Sequence, residues 1–194
     1  MSHKDQLLSA IAGRNRGNLA KEPDKVKVLS AIAQLEAENP TPNPIECSNL
    51  LHGNWRLLYT TSKDLLRFDQ FPFLKSGQIY QCIDTEENKV YNIAEVVGIS
   101  FLEGVVSVVA DFTPASEKRV NVNFKRSIVG LQRFLGYENP TDYIEKIKQG
   151  KKFVPLDFDI SNPNSNAWLE ITYLDEDLRL ARGNQGSVFV LTKN

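Results

Sequence analysis

The sequence predicts a mainly β fold with added helix (α+β): an eight-stranded antiparallel barrel preceded by N-terminal helices. Three observations predict it. Apolar residues repeat at helical spacing through the first 40 residues. From Leu50 onward the period changes to two. Eight such alternating stretches then follow, mostly joined by short turns, and closing them on themselves removes exposed edges. A two-sheet sandwich is the alternative closure.

The helical part comes first. Leu7, Leu8 and Ile11 share a face, and Gly13 and Gly17 break the pattern. Pro23 suits the first turn of a second helix, with Asp24 beside the positive end of its dipole. Val28, Leu29, Ile32 and Leu35 form its apolar stripe. Asn39-Pro40-Thr41-Pro42-Asn43-Pro44 ends it as a stiff linker. We therefore expect a helical extension and linker over 1–44 and the barrel over 45–194.

The strands follow in order. Trp55, Leu57 and Tyr59 share one face, and Ile79, Gln81 and Ile83 alternate with Tyr80 and Cys82. Asn88-Lys89 turns into Val90–Val97, and Gly104–Phe112 is rich in valine. Val120, Val122 and Phe124 alternate with polar neighbours. Ala167–Leu174, Leu178–Arg182 and Ser187–Thr192 complete the set, with turns at Asp175-Glu176-Asp177 and Gly183–Gly186. Two irregular segments interrupt them. Ser62–Ser76 is rich in Phe and Leu. The insert 127–163 contains a short helix that Thr141 could cap, with Ile144 and Ile147 as its apolar stripe.

Composition excludes several function classes. Of 194 residues, 23 are basic and 24 acidic, so no global charge points to nucleic acid. Residues 115–152 hold nine basic and four acidic groups, a local excess that suits a solvated loop or an anionic surface. Two cysteines, Cys47 and Cys82, without a CxxC pattern suit a reducing compartment; one disulfide remains open. The most apolar windows, Val96–Leu102 and Gly104–Ala110, are far shorter than the ~20 residues a spanning helix needs. Any membrane association is expected to be peripheral. Residues 1–20 read as neither a secretory signal nor a transit peptide.

The catalytic inventory is poor. His3 and His52 are the only histidines, and no GxSxG, phosphate-binding loop or HExxH is present. A nucleophile pair of His52 with Cys47 or Cys82 has no motif behind it. Asp175, Glu176 and Asp177 could hold a hard cation, but adjacent residues of a turn do not converge on one ion, so a charged hairpin turn is the better reading. Asp157 and Asp159 receive the same reading. We expect no metal and no required cofactor.

The informative features are apolar. Val105, Ser107 and Val109 lie on one face of a strand whose other face carries Val106, Val108 and Ala110. One face would line a cavity and the other pack against the N-terminal helices. Phe68, Phe71 and Phe73 follow the first strand, where they would fold over the barrel mouth; ordinary core packing is the alternative. Ligand contacts are therefore expected at Phe68, Phe71, Phe73, Val106 and Val108. Structural roles are expected at Gly53, which permits close approach, and at Trp55, which plugs one end. Arg179 and Arg182 are expected to stack on Trp55.

Two longer motifs carry a resemblance. Gly53-Asn54-Trp55-Arg56-Leu57-Leu58-Tyr59-Thr60-Thr61-Ser62 resembles the opening motif of the plastid lipid-associated protein (fibrillin) family. Tyr173–Arg179, then Ala181-Arg182-Gly183-Asn184-x-Gly186, resembles its closing motif. Gly77-x-Ile79-Tyr80-Gln81, Asn92-x-Ala94-Glu95 and Lys118-Arg119-Val120-x-Val122-x-Phe124 look like family positions between them. The resemblance implies a lipocalin-like barrel and peripheral association with thylakoids or lipid globules. It also implies binding of carotenoid, quinone or other lipid, and a role in photo-oxidative stress protection. It carries no catalytic residue. A cyanobacterial member or a processed form is expected, at the cytoplasmic face of thylakoids or in the cytoplasm.

Three functions fit this barrel. The first is non-enzymatic binding of a hydrophobic isoprenoid. The second is a barrel enzyme, a lipid isomerase or chromophore lyase, with Glu95 as base and Tyr91 on the same strand face. In that case a buried Glu95 satisfied by Arg56 or Arg126 would instead be structural. The third is a filled barrel acting as a scaffold on lipid surfaces, with Lys146, Lys148, Lys151 and Lys152 touching anionic headgroups.

Overall fold

The structure is a computed structural model that describes residues 2–63, 75–98, 102–162 and 166–194. Helix α1 spans His3–Ile11 and α2 spans Glu22–Ala37. Ser2 caps α1: its Oγ accepts the Asp5 amide at 3.1 Å, and the Asp5 carboxylate accepts the Ser2 amide at 3.0 Å. Pro23 occupies the first turn of α2. The buried stripe of α2 is Val28, Ala31, Ile32 and Leu35. Leu29, expected in that stripe, is 39% exposed, because the contact surface is centred one position round the helix.

A 3₁₀ turn at Pro44–Glu46 and the short α3 (Ser48–Leu51) lead into the sheet. Its strands are β1 (Gly53–Thr60), β2 (Lys75–Asp84), β3 (Lys89–Val97), β4 (Gly104–Pro114) and β5 (Arg119–Leu131). The later ones are β6 (Leu156–Asp159), β7 (Trp168–Leu174), β8 (Leu178–Gly183) and β9 (Val188–Lys193). Eight strands close a ring in the order β1-β2-β3-β4-β5-β7-β8-β9, and β9 returns to pair with β1. All pairings are antiparallel. The narrowest seam is β5 with β7, where Arg119–Asn121 oppose Trp168–Glu170.

The insert differs from its expected form. Strand β5 continues through the proposed boundary to Leu131. A register shift against β4 passes from Val109–Arg126 to Ala110–Phe124, leaving Lys125 as the extra residue of a bulge. Beyond the bulge, β5 leaves β7 and pairs with β6 outside the ring. Two helices lie between, α4 (Gln132–Leu135) and α5 (Pro140–Lys148). Asn139, not Thr141, caps α5, accepting the Asp142 amide at 3.0 Å, because Pro140 already occupies the first helical position.

Three apolar clusters follow from strand alternation. The interior cluster includes Trp55, Leu57, Ile79, Ile83, Val90, Ala94, Ala110, Ile171 and Leu191. On one outer side, Tyr59, Tyr173, Leu178, Leu180, Val188 and Val190 meet Leu7, Ile11, Val28, Ile32 and Leu35 of α1 and α2. On the opposite outer side, Tyr91, Ile93, Val105, Val109 and Ile128 meet Leu135, Tyr143, Ile144 and Ile147 of the insert. Burying three layers around one ring explains how so many strands can be apolar on both faces.

The loop between α1 and α2 is pressed onto β1. The Thr60 amide donates to the Arg16 carbonyl at 3.0 Å. Gly17 has φ +112°, and a Cβ there would lie 2.5 Å from the Thr60 carbonyl oxygen. Only glycine satisfies both conditions.

Candidate functional site

The candidate site is the barrel interior. Its lower end is closed by Trp55, which is fully buried, and whose indole Nε1 donates to the Leu51 carbonyl at 2.9 Å. Short α3 exists to present that carbonyl beneath the ring. Arg179 on β8 lies over the indole, its guanidinium carbon 5.0 Å from the centroid. Lys193 lies 5.3 Å from the same ring, a neighbour the sequence reading missed. Gly53 has φ +124°, and a Cβ there would meet the Lys193 side chain at 3.3 Å.

Arg182 does not join this stack. It reaches α2, where Nε and Nη2 donate to the Glu36 carboxylate at 2.8 and 2.7 Å. Residues 179 and 182 are an odd number apart in one strand, so they point to opposite faces. That spacing was the signal to separate them.

Val106 and Val108 are half-buried and share the inward parity of Ala110, whereas Val105, Ser107 and Val109 are buried on the outer side. The outer side is covered by α5, not by the N-terminal helices as expected. Ser107 Oγ and the Tyr143 hydroxyl are 3.0 Å apart under that cover. Phe68, Phe71 and Phe73 lie outside the described residues.

The inner wall carries polar groups that sequence reasoning passed over. Gln81 lies between inward-facing Ile79 and Ile83, and Asn92 between Val90 and Ala94. Gln81 Nε2 donates to Asn92 Oδ1 at 3.0 Å, and Arg179 Nη2 donates to Gln81 Oε1. Cross-strand pairing sets Gln81 beside Asn92 and Asn92 beside Val108. The signal was a glutamine and an asparagine in otherwise apolar alternation.

The residues proposed for an enzyme face away from this interior. Glu95 accepts the Tyr137 hydroxyl at 2.8 Å and the Gln78 amide at 3.2 Å, a clamp between β3 and the insert. Neither Arg56 nor Arg126 satisfies it; Arg126 is bidentate to Asp157 at 2.8 and 2.7 Å. Tyr91 is buried under α5, and that burial pushes its hydroxyl pKa up. His52 Nδ1 lies 3.4 Å from the Thr85 amide and hydroxyl. Both cysteines are free. Among the described residues no cluster of three His, Cys, Asp or Glu side chains could hold a metal ion.

The basic stretch of the insert is partly consumed internally. Lys146 donates to the Gly136 carbonyl, and Lys148 pairs with Asp84 at 2.5 Å. Lys151 leans over the Phe153 ring at 5.5 Å, and Lys152 is exposed. Asp175 to Asp177 form the turn between β7 and β8, which Lys4 of α1 bridges. A concavity of about 400 Å³ lies between α1 and α2, lined by Gln6, Ala10, Arg14 and Asp24. Another, of about 450 Å³, is lined by Asp111, Asn121, Asn123 and Trp168. Neither touches Val106 or Val108.

Comparison with known proteins then decides the lineage, because the PAP_fibrillin family model matches residues 1–192. The chain belongs to the PAP_fibrillin family. It is 34% identical to the chloroplastic light-induced protein of Solanum tuberosum, over 98% of this chain and 66% of that protein. It is 35% identical to the chloroplastic plastoglobulin-1 of Pisum sativum, over 98% of this chain and 60% of that protein. A third relative is the chromoplast-specific carotenoid-associated protein of Cucumis sativus, 32% identical over 98% of this chain and 67% of that protein. The chain thus spans about two thirds of the length of these family relatives. No solved structure matches it.

These relatives correct one expectation. They are chloroplast and chromoplast proteins of plants, so a cytoplasmic, cyanobacterial placement has no support among them. Among the described residues no helix is long and apolar enough to cross a membrane.

Proposed function

We propose that this fibrillin-family chain binds a hydrophobic isoprenoid or lipid, of carotenoid or quinone type, inside its barrel and works at lipid surfaces without catalysis. The carrying observation is the inner wall, where Val106, Val108, Phe124 and Phe189 remain half-buried beside a fully buried floor. An eight-stranded ring is wide enough for one small guest. Covering some 300 Å² of guest surface is worth roughly 7–8 kcal/mol gross, before association costs. The carotenoid-associated and plastoglobulin relatives support the guest class and the lipid surface.

The outward position of Glu95 and Tyr91 supports binding over catalysis. The end opposite Trp55 supports a lipid-facing rim. There β3 ends at Val97, Leu102 precedes β4, Phe134 follows β5 and Leu156 begins β6, all at least 47% exposed. A role in photo-oxidative protection follows if the guest is a carotenoid or quinone.

The test is mass spectrometry and visible absorbance of solvent extracts from the protein purified from its native cells. A stoichiometric carotenoid or quinone is expected. A blank at stoichiometric sensitivity would overturn the reading and favour a filled scaffold.

A further inference from the structure

The barrel interior holds one group that a hydrocarbon guest would not need. Arg179 is fully buried, and among the described residues no carboxylate lies within ion-pair distance of it. Its Nη2 is bonded to Gln81, but Nε and Nη1 have no hydrogen-bond partner. The three N–H donors on those two nitrogens are therefore unsatisfied inside a low-dielectric ring, where such groups are costly. The second cation at this end, Lys193, is spent on the Leu50 carbonyl at 2.7 Å and adds positive charge rather than cancelling it. Gln81 and Asn92 connect the guanidinium to the accessible wall: both are half-buried, and Asn92 sits beside Val108.

We infer that Arg179, Gln81 and Asn92 form a polar subsite for the oxyanion head, carboxylate or phosphate, of an amphipathic lipid whose chain lies along Val106 and Val108. The inference rests on the reading that the barrel binds a hydrophobic guest, and it replaces the carotenoid or quinone class, which has no anionic end, with an amphipathic lipid that has one. Two head oxygens take the guanidinium in a fork, one on the unsatisfied Nη1 and one in the place of Gln81 Oε1 on Nη2, as Gln81 rotates aside on its own torsions. The anion then supplies the countercharge that the fold omits. Burial holds the Arg179 pKa below its usual range, yet the group stays protonated at neutral pH, so the donors are present when the lipid arrives.

The test compares oleate, oleyl phosphate and oleyl alcohol binding to delipidated protein at pH 8 by calorimetry. The three probes share a chain and differ only in the head. The anions are expected to bind roughly ten- to a hundred-fold more tightly than the alcohol, the usual gain from charged hydrogen bonds. Which anion is stronger assigns the head as carboxylate or phosphate. Arg179→Met is expected to lower both anion affinities roughly ten- to a hundred-fold and so erase the preference over the alcohol. Should that variant not fold, the wild-type protein gives the answer: the ¹⁵N–H resonance of Arg179 Nε shifts with oleate and not with the alcohol. Equal affinity for all three probes, or an unmoved Arg179 resonance on saturation with oleate, overturns the subsite. Tight binding of β-carotene without any preference for anions defeats the subsite alone. Failure of every lipid to bind defeats the underlying reading as well.

Discussion

Arg179 lies over the indole of Trp55, with its guanidinium carbon 5.0 Å from the ring centroid and both side chains fully buried. Strands β1 and β8 are thereby joined across the interior, although they are not hydrogen-bonded to each other. The indole N–H is satisfied by Leu51 at 2.9 Å, so the ring is fixed from below and from above.

Trp55→Ala should therefore cost about 3–5 kcal/mol, the usual range for deleting a buried tryptophan. Trp55→Phe keeps much of the apolar volume but leaves the Leu51 carbonyl unpaired, at about 1–3 kcal/mol. Urea denaturation with both variants checks the order. If Trp55→Phe costs nothing, the Leu51 hydrogen bond contributes nothing.

Gly17 supplies the second prediction. Its φ of +112° is a region side chains avoid, and a Cβ would stand 2.5 Å from a backbone oxygen of β1. Gly17→Ala should destabilise by about 1–3 kcal/mol, through strain and displacement of the loop from Thr60. Gly13, with φ +70° and open space around a Cβ, should lose less on the same substitution. Thermal melts of the two variants, side by side, separate backbone strain from collision.

The ring was legible because period-two alternation survives burial on both faces only as a run of β-branched residues, as in Val105–Ala110. What covered that run was not legible. Alternation says that Val105 and Val109 share a face, but not whether α2 or α5 packs there, since both helices offer a similar apolar stripe. The bulge at Lys125 was also hidden. It shifts parity within β5, so Phe124 faces inward while Ile128 faces outward despite their even separation. The polar wall was readable in principle, since Gln81 and Asn92 interrupt apolar faces; attention to valines and phenylalanines passed over it. Arg179 was readable as a partner of Trp55, but its missing countercharge depends on which acidic groups the fold brings near, and that is a tertiary fact.

Cys82 and Cys47 should react very differently. Burial pushes the Cys82 thiol up to about 12, so at pH 8 only about one molecule in ten thousand carries the thiolate. Cys47 is half-buried. Iodoacetamide at pH 8 should label one thiol per native chain and the second only after denaturation. Equal labelling of both in the native state would show that the insert opens over β2 and β3.

Asp175 ties α1 to the turn between β7 and β8, and its titration predicts an acid transition. Burial alone would raise its pKa. Against that, it accepts Lys4 Nζ at 2.8 Å, the Tyr173 hydroxyl at 2.7 Å, and the amides of Asp177 and Leu178 at 3.0 and 2.7 Å. The bonds to the charged form prevail, and the carboxyl sits at about 2 against an ordinary 3.8. A depressed folded pKa means that the unfolded chain binds the proton first. The carboxylate therefore contributes its full stabilisation above about pH 4, and loses it as pH falls from there through 2. Asp175→Asn should cost about 1–3 kcal/mol at pH 7, because Lys4 and Tyr173 lose a charged acceptor. The difference between wild type and variant should then shrink steadily from pH 4 to pH 2, while Lys4→Met retains most of the acid slope through the Tyr173 and amide bonds. Urea titrations at pH 7, 4, 3 and 2 measure it; a difference that stays constant to pH 2 would remove Asp175 from the acid transition.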